Sequence, residues 1–311
     1  MSFFKLKKNG ILLLDKPKGY SSNFVLQKVK KIFGAKKAGH SGSLDPLATG
    51  MLPICIGEAT KFSTYLLNSN KHYQVIAKFG EKTSTLDSTG KIISIRSVNV
   101  SSSCIKNVLK EFVGEIYQIP PMYSAVKHKG LELYKYARKG IEINRKKRKI
   151  FIYDLKYVFY DKKILQLEVI CSKGTYIRTL IDDLGERLGC GAHVTYLRRF
   201  QVGLFSKSKL VDLNTLYTYK KNKNKFVSNY LLNKLLMPMD SALSTFPTIN
   251  LSSKNIYWFK LGRKIFSFIN YSGLVRVTEG ENKIFVGVGK NDKFGNLFPI
   301  RLISFNNSLK N

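Results

Sequence analysis

The sequence predicts an α+β protein: a mixed, mainly antiparallel central sheet flanked by helices, followed by a small C-terminal β domain. Three features lead there. Stretches of strand period stand between stretches of helix period. The strands vary in length and adjacency, with no internal repeat, as expected of an α+β sheet domain. After Pro247 the texture changes to short β-rich segments separated by glycine turns.

Gly10 to Leu14 (GILLL) reads as a buried strand, and Ser21 to Phe33 as a helix with Leu26, Val29, Ile32 and Phe33 at helical spacing. In AGHSGSLDPLATGMLP, Ala38 to Pro53, a lone aspartate precedes a proline. Asp is a preferred helix N-cap and Pro is favoured at the first helical position, so Asp45-Pro46 reads as the start of a short helix. His72 to Gly80 alternates as a strand, with Tyr73, Val75, Ala77 and Phe79 on one face. Ser103 is placed to cap a helix through Phe112. IPPMYSAVKHKGLELYKYARKG then breaks the pattern with two prolines and a basic, tyrosine-rich insertion over about 121–150.

Arg148 to Tyr160 and Ile164 to Cys171 read as paired strands around a turn at Asp161-Lys162. A helix follows from Tyr176 to Leu188, its apolar face made of Ile177, Leu180, Ile181, Leu184 and Leu188. A Lys- and Asn-rich stretch, Lys220 to Lys225, precedes a short apolar segment ending at Met237 to Asp240. KIFSFIN, GLVRVTEG, KIFVGVG and LFPIRLIS supply the strands of the last domain. The expected division is 1–246 and 247–311.

The 311 residues suffice for a sizeable core, and the hydrophobic (44%) and aromatic (12%) fractions are those of a globular chain. The net charge of +33, from 53 basic against 20 acidic residues, makes a polyanion the first partner to consider, because each phosphate neutralised releases counterions. Codon preferences favouring Lys, Asn and Ile would supply part of that excess without any binding purpose. Basic residues are densest at Lys28 to Lys37, Arg138 to Lys149 and Lys220 to Lys225. Cys55, Cys104, Cys171 and Cys190 stand far apart, most simply reduced and buried in a cytoplasmic protein. His40, His72, His128 and His193 have no metal-ligand spacing, so no metal is expected. The N-terminus has no small-residue cleavage site, and no stretch nears the ~18 apolar residues of a membrane span.

Asp45 acquires company in the motifs GHSGSLDPLATGMLP, DKPKGYSS (Asp15 to Ser22), YQVIAKFGEKTSTLDSTG (Tyr73 to Gly90) and CSKGTYIRTLIDDLGERLGCGAHVTYLRR (Cys171 to Arg199). Together and in this order they resemble the TruB family of tRNA pseudouridine synthases, from residue 10 to about residue 200. Over the last segment the similarity is to the family's PUA-like RNA-binding appendage, on strand texture and position. Ser41 and Ser43 depart slightly, standing where the family often has Thr or another small residue.

The resemblance implies the pseudouridine synthase fold and an isomerase that converts the T-loop uridine at tRNA position 55 to pseudouridine on a flipped-out nucleotide. It implies no cofactor, and GHSGSLDPLATG fits neither GxGxxG nor the P-loop pattern. Asp45 matches the family's catalytic aspartate and Arg178 the arginine that pairs with it. Tyr73 matches the tyrosine that stacks on the uracil. Tyr176 matches a second pocket tyrosine, Leu197 a position that contacts the uracil, and His40 a histidine that touches the RNA. Lys16-Pro17 matches a motif supporting the active-site loop. The 121–150 insertion corresponds to a thumb-like segment gripping the T arm, here unusually basic from Arg145 to Lys149.

Several of these residues also have a purely structural account: a helix cap for Asp45, a surface arginine in a first helical turn for Arg178, core packing for Tyr73 and Leu197, and an ordinary structural role for His40. The resemblance leaves the carboxylate three routes: attack at C1′, addition to C6, or assistance to a glycal-type elimination. The expected partner is the T arm of tRNA, with no membrane, no obligate protein partner and a monomeric chain. Two other readings stand beside the synthase: a tRNA-binding folding chaperone that needs no chemistry, and a base-excising glycosylase, which also flips a base toward a carboxylate.

Overall fold

The computed structural model describes residues 9–206 and 210–304; the ends of the expected domains, 1–8 and 305–311, lie outside them. In chain order the first domain contains strands β1 (Gly10–Lys16), β2 (Ala38–His40), β3 (Thr49–Ile56), β4 (Lys71–Phe79), β5 (Glu81–Thr83), β6 (Ile92–Ile95), β7 (Gly114–Gln118), β8 (Lys127–His128), β9 (Leu131–Glu132), β10 (Arg148–Asp161), β11 (Ile164–Cys171) and β12 (Ala192–Val202). Its helices are α1 (Ser22–Ile32), α2 (Ser63–Leu67), α3 (Ser102–Glu111), α4 (Leu133–Ala137), α5 (Ile177–Arg187), α6 (Leu213–Lys221) and α7 (Lys225–Lys234).

Eight of these strands form one sheet in the order β1-β3-β12-β4-β11-β10-β7, with β2 added on β3. Every pairing in it is antiparallel except β12 on β3, where Arg198 and Arg199 lie beside Thr49 and Gly50. The mixed, mainly antiparallel sheet read from the sequence is therefore the observed one. β12 lies inside the sheet because its chain returns from α5 between β3 and β4. That insertion brings the end of the TYLRR motif beside both the aspartate loop and Tyr73.

Burial follows the sequence periods. β4 alternates strictly, hiding Tyr73, Val75, Ala77 and Phe79. α1 starts at its Ser21 N-cap, whose side chain accepts from Phe24 N, and buries Val25, Leu26, Val29 and Ile32 against the sheet. Each such aliphatic side chain contributes roughly 1.5–3 kcal/mol of transfer free energy. α5 buries Ile177, Leu180, Ile181 and Leu184 on the same core.

The differences from the sequence reading are local. Asp45-Pro46 starts no helix: Ala48 N donates to the Asp45 carbonyl in a single turn, and the chain leaves it as β3. Pairing of Thr49–Ile56 with β1 on one side and β12 on the other outweighs the capping signal. α3 is capped by Ser101, not Ser103, because Ser101 has the extended backbone and accepts from Cys104 N. Cys104, in the first turn of that helix, is exposed rather than buried, while Cys55, Cys171 and Cys190 are buried and all four thiols are free. The 121–150 insertion folds into the β8–β9 hairpin and α4 before entering β10.

The C-terminal β domain holds β13 (Thr248–Leu251), helix α8 (Ser253–Lys260), β14 (Ile265–Phe266), β15 (Gly273–Glu279), β16 (Ile284–Asn291) and β17 (Asn296–Leu302). Its five strands are ordered β13-β15-β16-β17-β14 over a core of its own, including Ile249, Ile256, Phe259 and Val277. It rests on the first domain through Phe62 against Phe285, with ring centroids 5.1 Å apart, and through Lys61 Nζ donating to the Leu302 carbonyl at 3.0 Å.

Candidate active site

The turn that carries Asp45 is fastened from below. Ser22 Oγ, at the start of α1, donates to the Leu44 carbonyl at 2.9 Å and accepts from Leu44 N at 2.7 Å. Gly19 N donates to the Pro46 carbonyl at 2.8 Å. Lys16, fully buried at the end of β1, donates to the carbonyls of Pro17 (2.8 Å), Tyr20 (2.7 Å) and Pro46 (3.5 Å). Burial lowers its ammonium to about 8, with Asp45 pulling the other way. The Lys-Pro motif thus ties the β1–α1 loop to the aspartate turn.

Arg178, in the first turn of α5, meets Asp45 with a fork: Nε donates to Oδ2 and Nη2 to Oδ1, both at 2.8 Å. The surface-arginine account fails, since the Arg178 side chain is 4% exposed while the Asp45 side chain keeps 34%. Further donations to the carbonyls of Thr85 and Tyr123, both at 2.7 Å, fix the guanidinium plane. Asp87 Oδ2 stands 3.8 Å from Arg178 Nε. Its Oδ1 accepts from Thr85 Oγ1, Thr89 N and Thr89 Oγ1, which hold it in place. Burial raises the Asp45 carboxyl above its usual range, a rise that the Arg178 guanidinium offsets only in part. With both oxygens accepting from a guanidinium, the group is a carboxylate whose exposed side faces the pocket.

That pocket, about 380 Å³, is lined by Asp45, Tyr73, Tyr176, Arg178, Leu197 and Arg199 among others. Tyr73 comes from the inward face of β4 and Leu197 from β12, paired with Val75. Tyr176 occupies the N-cap position of α5, where Gln118 grips its backbone by a donation in each direction, at 3.0 and 3.1 Å. Burial raises the phenols of Tyr73 and Tyr176 above their usual range, so both are neutral donors near pH 7. Such a cavity accommodates one small planar ligand between an apolar wall and a few oriented polar groups.

His40 takes a different place. It ends β2, outside the pocket lining, with its Nδ1 buried and unbonded among the described residues. Burial lowers its pKa.

Sequence reasoning passed over Arg199, Asp87, Lys71 and Gln118. Arg199 and Asp87 lay within quoted motifs, but nothing local distinguished them. Arg199 is 1% exposed, and it donates to the carbonyls of Met51 (2.7 Å) and Gly42 (2.9 Å) and to the Tyr73 hydroxyl (3.4 Å). Lys71 also lines the pocket, donating to the carbonyls of Leu66, Leu67 and Ser69; burial lowers it to about 8. Among the described residues no group of three or more His, Cys, Asp or Glu is arranged to hold a metal ion.

Residues 30–177 match the TruB family pseudouridylate synthase N-terminal domain, 178–244 the tRNA pseudouridylate synthase B C-terminal domain, and 247–303 the pseudouridine synthase II TruB C-terminal domain. The chain is 52% identical over 298 residues to tRNA pseudouridine synthase B of Salmonella typhimurium, covering 95% of each. With the protein of that name from Buchnera aphidicola the identity is 51% over 307 residues, 97% of this chain and 98% of the relative. In three dimensions it resembles a chain of the archaeal box H/ACA sRNP Nop10-Cbf5 complex, at a TM-score of 0.72 and 25% identity over 95% of this chain and 86% of that one. A chain of a Cbf5-Nop10-Gar1 complex gives a TM-score of 0.71 and 26% identity, covering 97% and 85%. On motifs, fold and near full-length identity, the chain belongs to the TruB family of pseudouridylate synthases.

Proposed function

We propose that the protein is a tRNA pseudouridine synthase acting on the T-loop uridine at position 55. The relatives sharing about half its residues carry that enzyme name, and the resemblance of the motifs supplies the position. The observation that carries the reading is the Asp45–Arg178 fork at the wall of a pocket that also holds Tyr73.

Asp45 acts on the flipped nucleotide by attack at the sugar C1′, by addition to the base C6, or by assisting a glycal-type elimination. Arg178 holds the carboxylate in one orientation, so a reacting oxygen need not be immobilised during the reaction. Tyr73 stacks on the uracil, which offsets by ~1–3 kcal/mol the few kcal/mol spent on unstacking the nucleotide. Tyr176 and Leu197 close the pocket around the base. His40, at the end of β2, contacts RNA outside the pocket. The isomerisation conserves every atom and electron of the nucleotide, so the residues need supply binding, orientation, proton transfer and at most a transient bond from Asp45.

The surface charge fits a polyanion: the 121–150 insertion is basic, and its Arg148 reaches the pocket lining. The insertion grips the T arm through phosphates, and the C-terminal β domain adds a second RNA-facing surface. The reading includes a monomer working in the cytoplasm without an obligate protein partner, in keeping with four free thiols and a tRNA substrate.

Incubation of the purified chain with unmodified tRNA, followed by mapping of pseudouridine, tests this. Product at position 55, absent when that uridine is replaced by cytidine, is expected. Free uracil with an abasic site would make the protein a glycosylase, and tight binding without product would make it a tRNA-binding protein.

A further inference from the structure

Arg199 and Lys71 are pocket cations that the scheme above leaves unused, and Arg199 is the one bonded to the Tyr73 hydroxyl. Arg178 is neutralised by Asp45, with Asp87 close by. Lys16 and Lys71 give their ammonium hydrogens to backbone carbonyls. Arg199 is 1% exposed and pairs with no carboxylate among the described residues, its partners being two carbonyls and the Tyr73 hydroxyl. A buried guanidinium with only neutral partners is costly to maintain. Negative charge entering the pocket would offset that cost.

The fold places this residue with care. In the sheet register Arg199 lies opposite Gly50 on one side and Tyr73 on the other. Its guanidinium carbon is 6.0 Å from the centroid of the Tyr73 ring. Gly50 is required for the approach: its φ is +98°, and a Cβ there would lie 2.3 Å from the Arg199 carbonyl oxygen. Gly42, in the aspartate loop, accepts from the same guanidinium. One side chain therefore links the aspartate loop, β3 and the tyrosine.

We propose that Arg199 fixes Tyr73 against the target base and supplies the positive field for the negative charge that the base carries during isomerisation. This rests on the proposed function. When the C1′–N1 bond breaks, its electron pair stays with the uracil and spreads over N1, O2 and O4. The sugar carbon is meanwhile bonded by the Asp45 carboxylate, which later departs, or joins a C1′–C2′ double bond as the C2′ proton moves to that carboxylate and later returns. Addition of Asp45 to C6 instead would place the charge on C5 and O4, and the carboxylate leaves C6 when C5 later loses its proton and the C5–C6 double bond re-forms. In each case the uracil gives a pair from C5 to C1′, C5 loses its proton and N1 gains one, with no net oxidation or reduction. Negative charge on the ring is common to these routes and absent from bound uridine, so the contribution of Arg199 lies in rate and not in affinity.

The test uses the full chain and a T-arm stem-loop, measuring single-turnover rate, RNA affinity and thermal melting for Arg199→Gln and Arg199→Lys. Expected is a loss of about a hundredfold in rate for Arg199→Gln with RNA affinity within about threefold. Arg199→Lys, which keeps the charge but not the fork, recovers about tenfold of that loss. A lysine variant as slow as the glutamine one, a rate loss matched by loss of RNA binding, or unfolding of both variants assigns Arg199 to the scaffold alone and overturns the proposal. An unmutated chain that forms no pseudouridine overturns the function reading itself, which separates the two failures.

Discussion

Asp45 and Arg178 stand 133 positions apart in sequence and meet as a two-bond fork in which the arginine is buried and the aspartate half open. The asymmetry has a purpose: the guanidinium is immobilised by the Thr85 and Tyr123 carbonyls, while the carboxylate keeps one side toward the pocket.

Arg178→Lys keeps the charge and loses the fork, leaving the Asp45 oxygens free to rotate. The expected result is a fall of at least about a hundredfold in single-turnover rate with RNA affinity little changed, since misplacement of a reacting group by about 1 Å costs that much. Stopped-time assays on T-arm RNA beside a binding titration check it.

Asp87→Asn removes a carboxylate 3.8 Å from Arg178 Nε but keeps an oxygen for Thr85 and Thr89. With that negative charge gone, Asp45 is the one carboxylate paired with Arg178 among the described residues, and the balance at the carboxylate shifts. A rate loss of about tenfold with a near-normal melting temperature is expected; an unchanged rate would confine Asp87 to its loop.

Asp45 also sets an acid limit. An acid whose folded pKa is raised binds more protons folded than unfolded, so between its ordinary pKa and its raised one stability falls as pH rises. Activity runs the other way, needing the ionised form, and the acid limb of kcat/KM should lie above the usual carboxylate range. A limb at or below pH 3.8 would contradict the burial described here.

Lys16 gives a basic-side counterpart. Its folded pKa of about 8 lies below the ordinary 10.5, so in that window the unfolded chain binds more protons and stability rises with pH. Lys16→Met should remove close to one proton's worth of that slope, about 1.4 kcal/mol per pH unit. Denaturant melts at several pH values between these limits measure it.

Gly50→Ala tests the backbone contact under the site. With φ at +98° and the new Cβ 2.3 Å from the Arg199 carbonyl oxygen, the β3–β12 pairing must shift. A loss of more than about 3 kcal/mol is expected from urea unfolding, at the severe end of single substitutions.

The elements with unmixed periods were legible in the sequence. β4 needed only its alternation and α1 only its apolar stripe and Ser21 cap, because local pattern and tertiary burial agree there. Asp45-Pro46 was misread because capping chemistry is a local signal, whereas the pairing of Thr49–Ile56 with strands on both sides is a long-range one. α8 was missed for a related reason: its helix of eight residues lies among β segments and carries only a short apolar face. Asp45, Tyr73, Tyr176, Arg178 and Leu197 came from family motifs, and they line one pocket. Arg199 could not be chosen from YLRR, since its significance lies in partners contributed by Gly42, Met51 and Tyr73.

The central claim, that Asp45 is the reacting carboxylate, is tested most directly by Asp45→Asn. Pseudouridine in a T-arm stem-loop is quantified by mass spectrometry for the unmutated chain and the variant. Asn keeps the shape and one acceptor but cannot attack or take a proton, so conversion by the unmutated chain and none by the variant, with RNA affinity within about threefold, is the predicted result. Conversion by Asp45→Asn at an undiminished rate would contradict the account.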